Sequence, residues 1–174
     1  MLFRSYPNLG VVSLGNGRSF VIADIPGVIE GAAEGAGLGI RFLKHLARTR
    51  LLLHLVDIAP LDEAQDPLEQ VRQIEGEVAA YGGDLAEKER WLVLNKVDLL
   101  DADDFAQRRE QMLKGLDWDG PVYCVSALTG MGTDSLCEDL MRHLEQLSRS
   151  QVSRDQEGAG PDQELEDDEW HPLD

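Results

Sequence analysis

Three polar side chains close the run Leu92-Val-Leu-Asn95-Lys96-Val97-Asp98, and their types suit the edges of a purine. A carboxylate at Asp98 can accept two parallel hydrogen bonds from the ring N1–H and the exocyclic amine of guanine. Adenine would leave that charge, expected to be buried, without a partner. Asn95 can contact the other edge of the base, and the Lys96 stem can lie over its face. The position suits the chemistry too, because a short apolar strand delivers the set to its carboxyl end, where open α/β sheets bind ligands. Taken alone, Asn-Lys-x-Asp also fits a strand end followed by a solvated turn, and chance produces it in roughly one chain of this length in fifty.

Two further segments carry complementary chemistry. Phe20-Val-Ile-Ala-Asp24-Ile25-Pro26-Gly27 is an apolar strand closing in Asp-x-x-Gly. There Gly27 is free to bring its backbone N–H to a phosphate, with Ile25 and Pro26 completing the loop, and Asp24 could hold Mg²⁺ through water. A proline-containing turn after a strand is the competing reading of that segment. Val122-Tyr-Cys-Val125-Ser126-Ala127-Leu128 is a third apolar strand, whose small closing residues let backbone N–H groups approach the guanine carbonyl. In this order, with about seventy and then about thirty residues between them, the three segments form the signature of a domain that binds GTP or GDP with Mg²⁺.

The chain further resembles the GTPase domain of the Obg family of bacterial ribosome-associated GTPases. Pro7-Asn8-Leu9-Gly10-Val11-Val12 matches that family's P-N-L-G-V-V. Asp24-Ile-Pro-Gly27-Val-Ile29-Glu30-Gly31-Ala32, followed by Gly37-Leu38-Gly39 and Phe42-Leu43-Lys44-His45, resembles its D-x-P-G-L-I-E-G-A…G-L-G…F-L-R-H stretch. The likeness covers residues 7 to about 150, and the acidic run Glu166-Asp167-Asp168-Glu169-Trp170 resembles the terminal extension of proteobacterial members. It implies a P-loop-NTPase-like G domain that hydrolyses GTP to GDP as a switch in large ribosomal subunit assembly, in the cytoplasm.

One element of the resembled domain is not encoded in these residues. No G-x-x-x-x-G-K-[ST] loop occurs, so the backbone cradle, lysine and magnesium-binding hydroxyl that hold the α- and β-phosphates have no counterpart here. Met1-Leu-Phe-Arg-Ser-Tyr6 stands where the family has a switch with two threonines. The expectation is the carboxyl-terminal part of such a protein, whether a cloned fragment, an internal start or a broken reading frame. Guanine recognition without hydrolysis, or a pure interaction role, is then the alternative function. The resemblance also implies phosphoryl transfer to water by positioning and charge stabilisation. Val28 follows Gly27 where Ras-like enzymes have a water-orienting glutamine, which leaves Glu30 as the candidate catalytic residue for positioning water; a solvated loop acid is its alternative reading. The glycines between Gly27 and Gly39 suit a nucleotide-dependent switch and equally a long irregular connection.

Composition narrows the partners. In 174 residues, 16 Lys and Arg face 33 Asp and Glu for a net charge of −17, and 43% hydrophobic content is enough for one domain's core. Residues 151–174 hold nine of those acids against one Arg, which leaves −9 on residues 1–150. A net-negative surface disfavours broad nucleic-acid affinity and sequence-specific DNA binding, so contact with a ribosomal subunit needs a localised basic patch or another domain. No apolar run reaches the length of a membrane span, and neither a signal peptide nor a disulfide framework is indicated, Cys124 and Cys137 reading as buried thiols. The tail at 151–174 reads as disordered, a solubilising extension or a docking segment anchored by Trp170.

Positioning these groups takes an α/β fold. Leu9–Leu14 and Arg18–Asp24 flank Gly15-Asn16-Gly17, a hairpin signal. A helix is expected near Gly39–Thr49, then a strand at 51–57 with His54 as a core residue, and a helix from Pro67 to Tyr81 closed by Gly82-Gly83. Strand 90–95, helix 103–115, strand 121–125 and helix 133–148 complete a series that predicts a mostly parallel, doubly wound sheet with one antiparallel edge hairpin. In the resembled fold the first strand lies between those ending at Asp24 and Asp57. Without it the middle of the sheet opens, and the chain, a monomer when complete, is expected to self-associate through the exposed edges.

Overall fold

The computed structural model describes residues 8–24, 46–62 and 65–158. Its centre is β4 (Arg90–Asn95), because the run Trp91-Leu-Val-Leu94 is apolar on both faces and every one of those four residues is buried. A strand with two apolar faces must be covered on both. β3 (Leu52–Asp57) and β5 (Val122–Cys124) flank it in a three-stranded parallel sheet of order β3-β4-β5, with Asp57 opposite Asn95 and Leu94 opposite Cys124.

Parallel neighbours require crossover helices, and the side-chain period of two sends alternate residues of β4 to opposite faces of the sheet. Leu92 and Leu94 pack with Val56, Val71 and Met112, which brings α1 (Pro67–Tyr81) and α2 (Ala102–Leu116) onto one face. Trp91 and Val93 pack on the other with Val125, Leu136 and Leu140, the last two from the amino-terminal part of α3 (Thr133–Gly158). The helices start where short acids cap them: Asp66 Oδ1 accepts from Leu68 N at 2.9 Å ahead of Pro67, and Asp101 Oδ1 accepts from Asp104 N at 2.8 Å.

β1 (Asn8–Gly15) and β2 (Arg18–Asp24) form the expected hairpin, with Asn8 opposite Asp24 and an irregularity between Ser13 and Gly15. Asn16 and Gly17 form a two-residue turn with φ of 51° and 73°, the left-handed pair that a hairpin's twist favours. Among the described residues this hairpin is a sheet of its own, sharing no ladder with β3. The parallel sheet and the antiparallel hairpin are the two parts expected from the sequence, here with a break in pairing between them. Apolar side chains are exposed on both sides of the break, Val11 and Val21 on the hairpin and Leu55 on β3. Phe20 nevertheless packs against the Trp91 cluster, and Arg18 Nη1 pairs with Glu138 Oε2 at 3.2 Å.

The last helix continues to Gly158, ten residues beyond its expected end at 148, so 151–158 are helical where a disordered tail was expected. Two compact units divide within it, one ending at Met141 and one beginning at Arg142. In the second, Ser148 Oγ and Ser150 Oγ donate back to the carbonyls of Leu144 and Gln146 at 2.9 and 3.0 Å. Residues 159–174, Ile25, Pro26, Gly27, Glu30 and most of the expected helix near Gly39–Thr49 lie outside the described residues; Leu46 and Ala47 are helical. No helix among the described residues is long and apolar enough to cross a membrane.

Candidate functional site

The carboxyl ends of β3, β4 and β5 bring the base-directed residues together. Asn95 is the last residue of β4, and its Oδ1 accepts from Ala127 N at 2.9 Å, which ties the strand end to the turn after β5. Backbone bonds reinforce the join: Val125 N donates to Leu94 O at 2.8 Å, and Val97 N donates to Val125 O at 3.3 Å. Two motifs thirty residues apart therefore form one surface. The N–H of Ala127, expected near the guanine carbonyl, here donates to Asn95. With its carbonyl oxygen committed to Ala127, Asn95 has its amide NH₂ as the donor for the acceptor on a purine's imidazole edge.

Lys96 turns the chain at the strand end. Its backbone is left-handed, φ 68° and ψ 31°, which for a lysine is a strained conformation held by its surroundings. The turn starts a short 3₁₀ helix, Val97–Leu99, in which Val97 is buried and Asp98 is exposed. Asp98 is thus not the buried charge expected from the sequence. An exposed carboxylate is costly to leave unpaired only once something covers it.

Ser126 is fully buried and organises the opposite wall. Its Oγ accepts from Thr129 N at 3.1 Å, its N–H donates to Met131 O at 2.9 Å, and its carbonyl accepts from Gly130 N at 2.9 Å. Ser126 is thereby a structural knot of the turn, while Ala127 and Leu128 are exposed and Leu128 projects with 87% of its surface accessible. Gly132 closes the turn at φ 74°, and a Cβ there would stand 2.3 Å from Cys124 O. Only glycine fits.

Asp57 is the site residue that the motifs did not reveal. It ends β3 beside Asn95, its Oδ1 accepts from Ala59 N at 3.0 Å, and its Oδ2 pairs with Lys96 Nζ at 2.5 Å. An acid at the carboxyl end of a neighbouring parallel strand was the available signal, and reading it required knowing which strands are adjacent.

Asp24 lies at the exposed end of β2. No group of three His, Cys, Asp or Glu able to hold a metal occurs among the described residues. A lone exposed carboxylate does not make a protein cage. It fits an ion such as Mg²⁺, which keeps water and takes phosphate oxygens as ligands. An open pocket of about 370 Å³, lined in part by Glu75, Lys88, Arg90, Asp117 and Pro121, lies at the opposite end of β4 and contains none of the motif residues.

Comparison with known proteins bears on the fold and the family of the chain. A family model described as 50S ribosome-binding GTPase matches residues 5–96, which takes in the Asp24 segment and reaches Lys96. The crystal structure of nucleolar GTP-binding protein 1 from Plasmodium falciparum is similar in fold, with a TM-score of 0.53 at 18% identity over 85% of this chain and 76% of that one. The family match spans more than half of the sequence, and the chain accordingly belongs to this family of GTP-binding GTPase domains.

Proposed function

We propose that the chain is the guanine-recognising part of an Obg-type GTPase, acting in the cytoplasm as a nucleotide switch in large ribosomal subunit assembly. The observation that carries the nucleotide reading is the bond from Ala127 N to Asn95 Oδ1, which joins Asn-Lys-x-Asp to Ser-Ala-Leu at the carboxyl ends of two parallel strands. Asp98 then accepts from guanine N1–H and the exocyclic amine, and Lys96 covers the base. The description of the matched family, and the Obg-like run from Asp24 to His45, support the ribosomal role. Asp24 to Gly27 serve the phosphate end, with Asp24 holding Mg²⁺ through water. When bound, the ion offsets charge on the β- and γ-phosphate oxygens. Glu30 is the group we assign to water positioning.

One observation favours a second reading, a guanine-binding module that does not hydrolyse. No G-x-x-x-x-G-K-[ST] loop occurs in these residues to hold the β- and γ-phosphates, whereas the groups directed at the base are all present. Single-turnover GTP hydrolysis separates the two readings.

Titration with a fluorescent GDP tests the base site shared by both. Wild-type chain should bind GDP in preference to xanthosine diphosphate, and Asp98→Asn should reverse that order, because xanthine offers a carbonyl where guanine offers an amine and the new amide can donate to it. An Asp98→Asn variant with unchanged base preference removes the reading.

A further inference from the structure

We infer that Asp57 is a positioning residue for guanine-nucleotide binding, acting through Lys96; this rests on the base site proposed above. The geometry has three parts. Asp57 and Asn95 are register partners at the ends of adjacent parallel strands, so the Asp57 carboxylate stands beside the first residue of the base motif. Its two oxygens are divided between two tasks, Oδ1 accepting from Ala59 N at 3.0 Å and Oδ2 pairing with Lys96 Nζ at 2.5 Å. The loop after Asp57 is also held through its backbone, because Ile58 N donates to Asn95 O at 3.2 Å and Arg108 Nη1 donates to Ile58 O at 3.0 Å.

Lys96 needs such an anchor. Its left-handed backbone sets where the side chain leaves the main chain, but four rotatable bonds follow, and an unrestrained lysine loses much rotamer freedom when a base settles against it. The Asp57 carboxylate fixes the ammonium at the far end of the stem. The methylenes are then laid out as an apolar platform before the base arrives, and the ammonium keeps its counter-charge when the ligand displaces water. Asp57 need not touch the nucleotide to do this.

The division of oxygens makes a selective test possible. Asp57→Asn keeps an oxygen for Ala59 N but presents an NH₂ or an uncharged acceptor to the ammonium, so it removes the Lys96 anchor and spares the loop. Binding of N-methylanthraniloyl-GDP to the full chain should weaken roughly fivefold, the scale of a partly exposed ion pair. Asp57→Glu, which retains the charge, should recover most of the loss. On a Lys96→Met background the Asp57→Asn change should have no further effect, whereas a purely structural role for Asp57 would persist there. Should Asp57→Asn fail to fold, Asp57→Ser, which also retains an oxygen acceptor, takes its place in the same cycle. Undiminished binding by the Asp57 variants, or an equal loss on the Lys96→Met background, overturns the inference while the base site stands. A wild-type chain with no saturable binding overturns the base site and this inference together.

Discussion

Replacing Gly132 by alanine asks whether the turn that forms the Ser-Ala-Leu wall is as tightly constrained as its geometry indicates. Two penalties act at that position. Alanine in the left-handed region costs about 1–2 kcal/mol, and the added Cβ would meet Cys124 O at 2.3 Å, about 1 Å inside ordinary contact. Because the obstacle is backbone of β5, relief requires moving the turn, which endangers the Ser126 N to Met131 O bond and the Leu136 N to Gly132 O bond, each worth about 1 kcal/mol. Together these give about 3–4 kcal/mol. Gly130 supplies an internal control, since its φ is also positive at 81° but a Cβ there meets only Thr133 Oγ1 at 3.9 Å. Gly130→Ala should therefore show the strain alone, about 1–2 kcal/mol. Urea unfolding followed by circular dichroism measures both, and for a chain of this size the Gly132 variant should melt roughly 6–16 °C lower. Equal destabilisation by the two substitutions would refute the contact with Cys124 as the cause.

Two other outcomes are expected. Burial, with Arg90 adding to it, lowers the pKa of His54 from 6.5 to about 4; the unfolded chain therefore takes up a proton first, and His54 destabilises the fold as pH falls from 6.5 towards 4, by on the order of 2 kcal/mol at pH 4.5. His54→Gln should flatten the stability profile across that window, and an unchanged slope in urea titrations at pH 7 and 4.5 would exclude His54 as its source. At the phosphate end, Glu30→Ala in a hydrolysing form of the protein should slow single-turnover hydrolysis while leaving GDP affinity unchanged, and an unaltered rate removes Glu30 from the chemistry.

Much of the architecture was legible because local patterns and burial coincide. The unbroken apolar run at Trp91–Leu94 announces a strand covered on both faces, and Asp66-Pro67 and Gly82-Gly83 bracket α1 with an amino-terminal cap and a carboxyl-terminal stop. Asn16-Gly17 marks the hairpin turn for the same kind of reason, since few residue pairs accept two positive φ values in succession. Less legible was the end of α3. A polar, acidic stretch reads as disordered from composition, yet helix propagates from an already nucleated segment, and Ser148 and Ser150 donate back to carbonyls four residues earlier instead of ending it. The exposure of Asp98 was equally out of reach, because an acid one residue past a buried Val97 reads the same whether it points inward or outward.

The sequence by itself determined which chemical groups exist and which strand end each belongs to: a carboxylate, an amide and a lysine at the end of β4, an acid at the end of β2, and a small-residue turn after β5. Those assignments follow from residue type and from periodicity, both local properties of the chain. Tertiary structure decided what the groups do to one another. It gave the Ala127 N–H to Asn95, made Ser126 the knot of its turn, and placed Asp57 against Lys96 from a residue 39 positions away. It also left the hairpin and the parallel sheet without a shared ladder among the described residues. Such pairings depend on which strands become neighbours and in what register, and no local pattern encodes that.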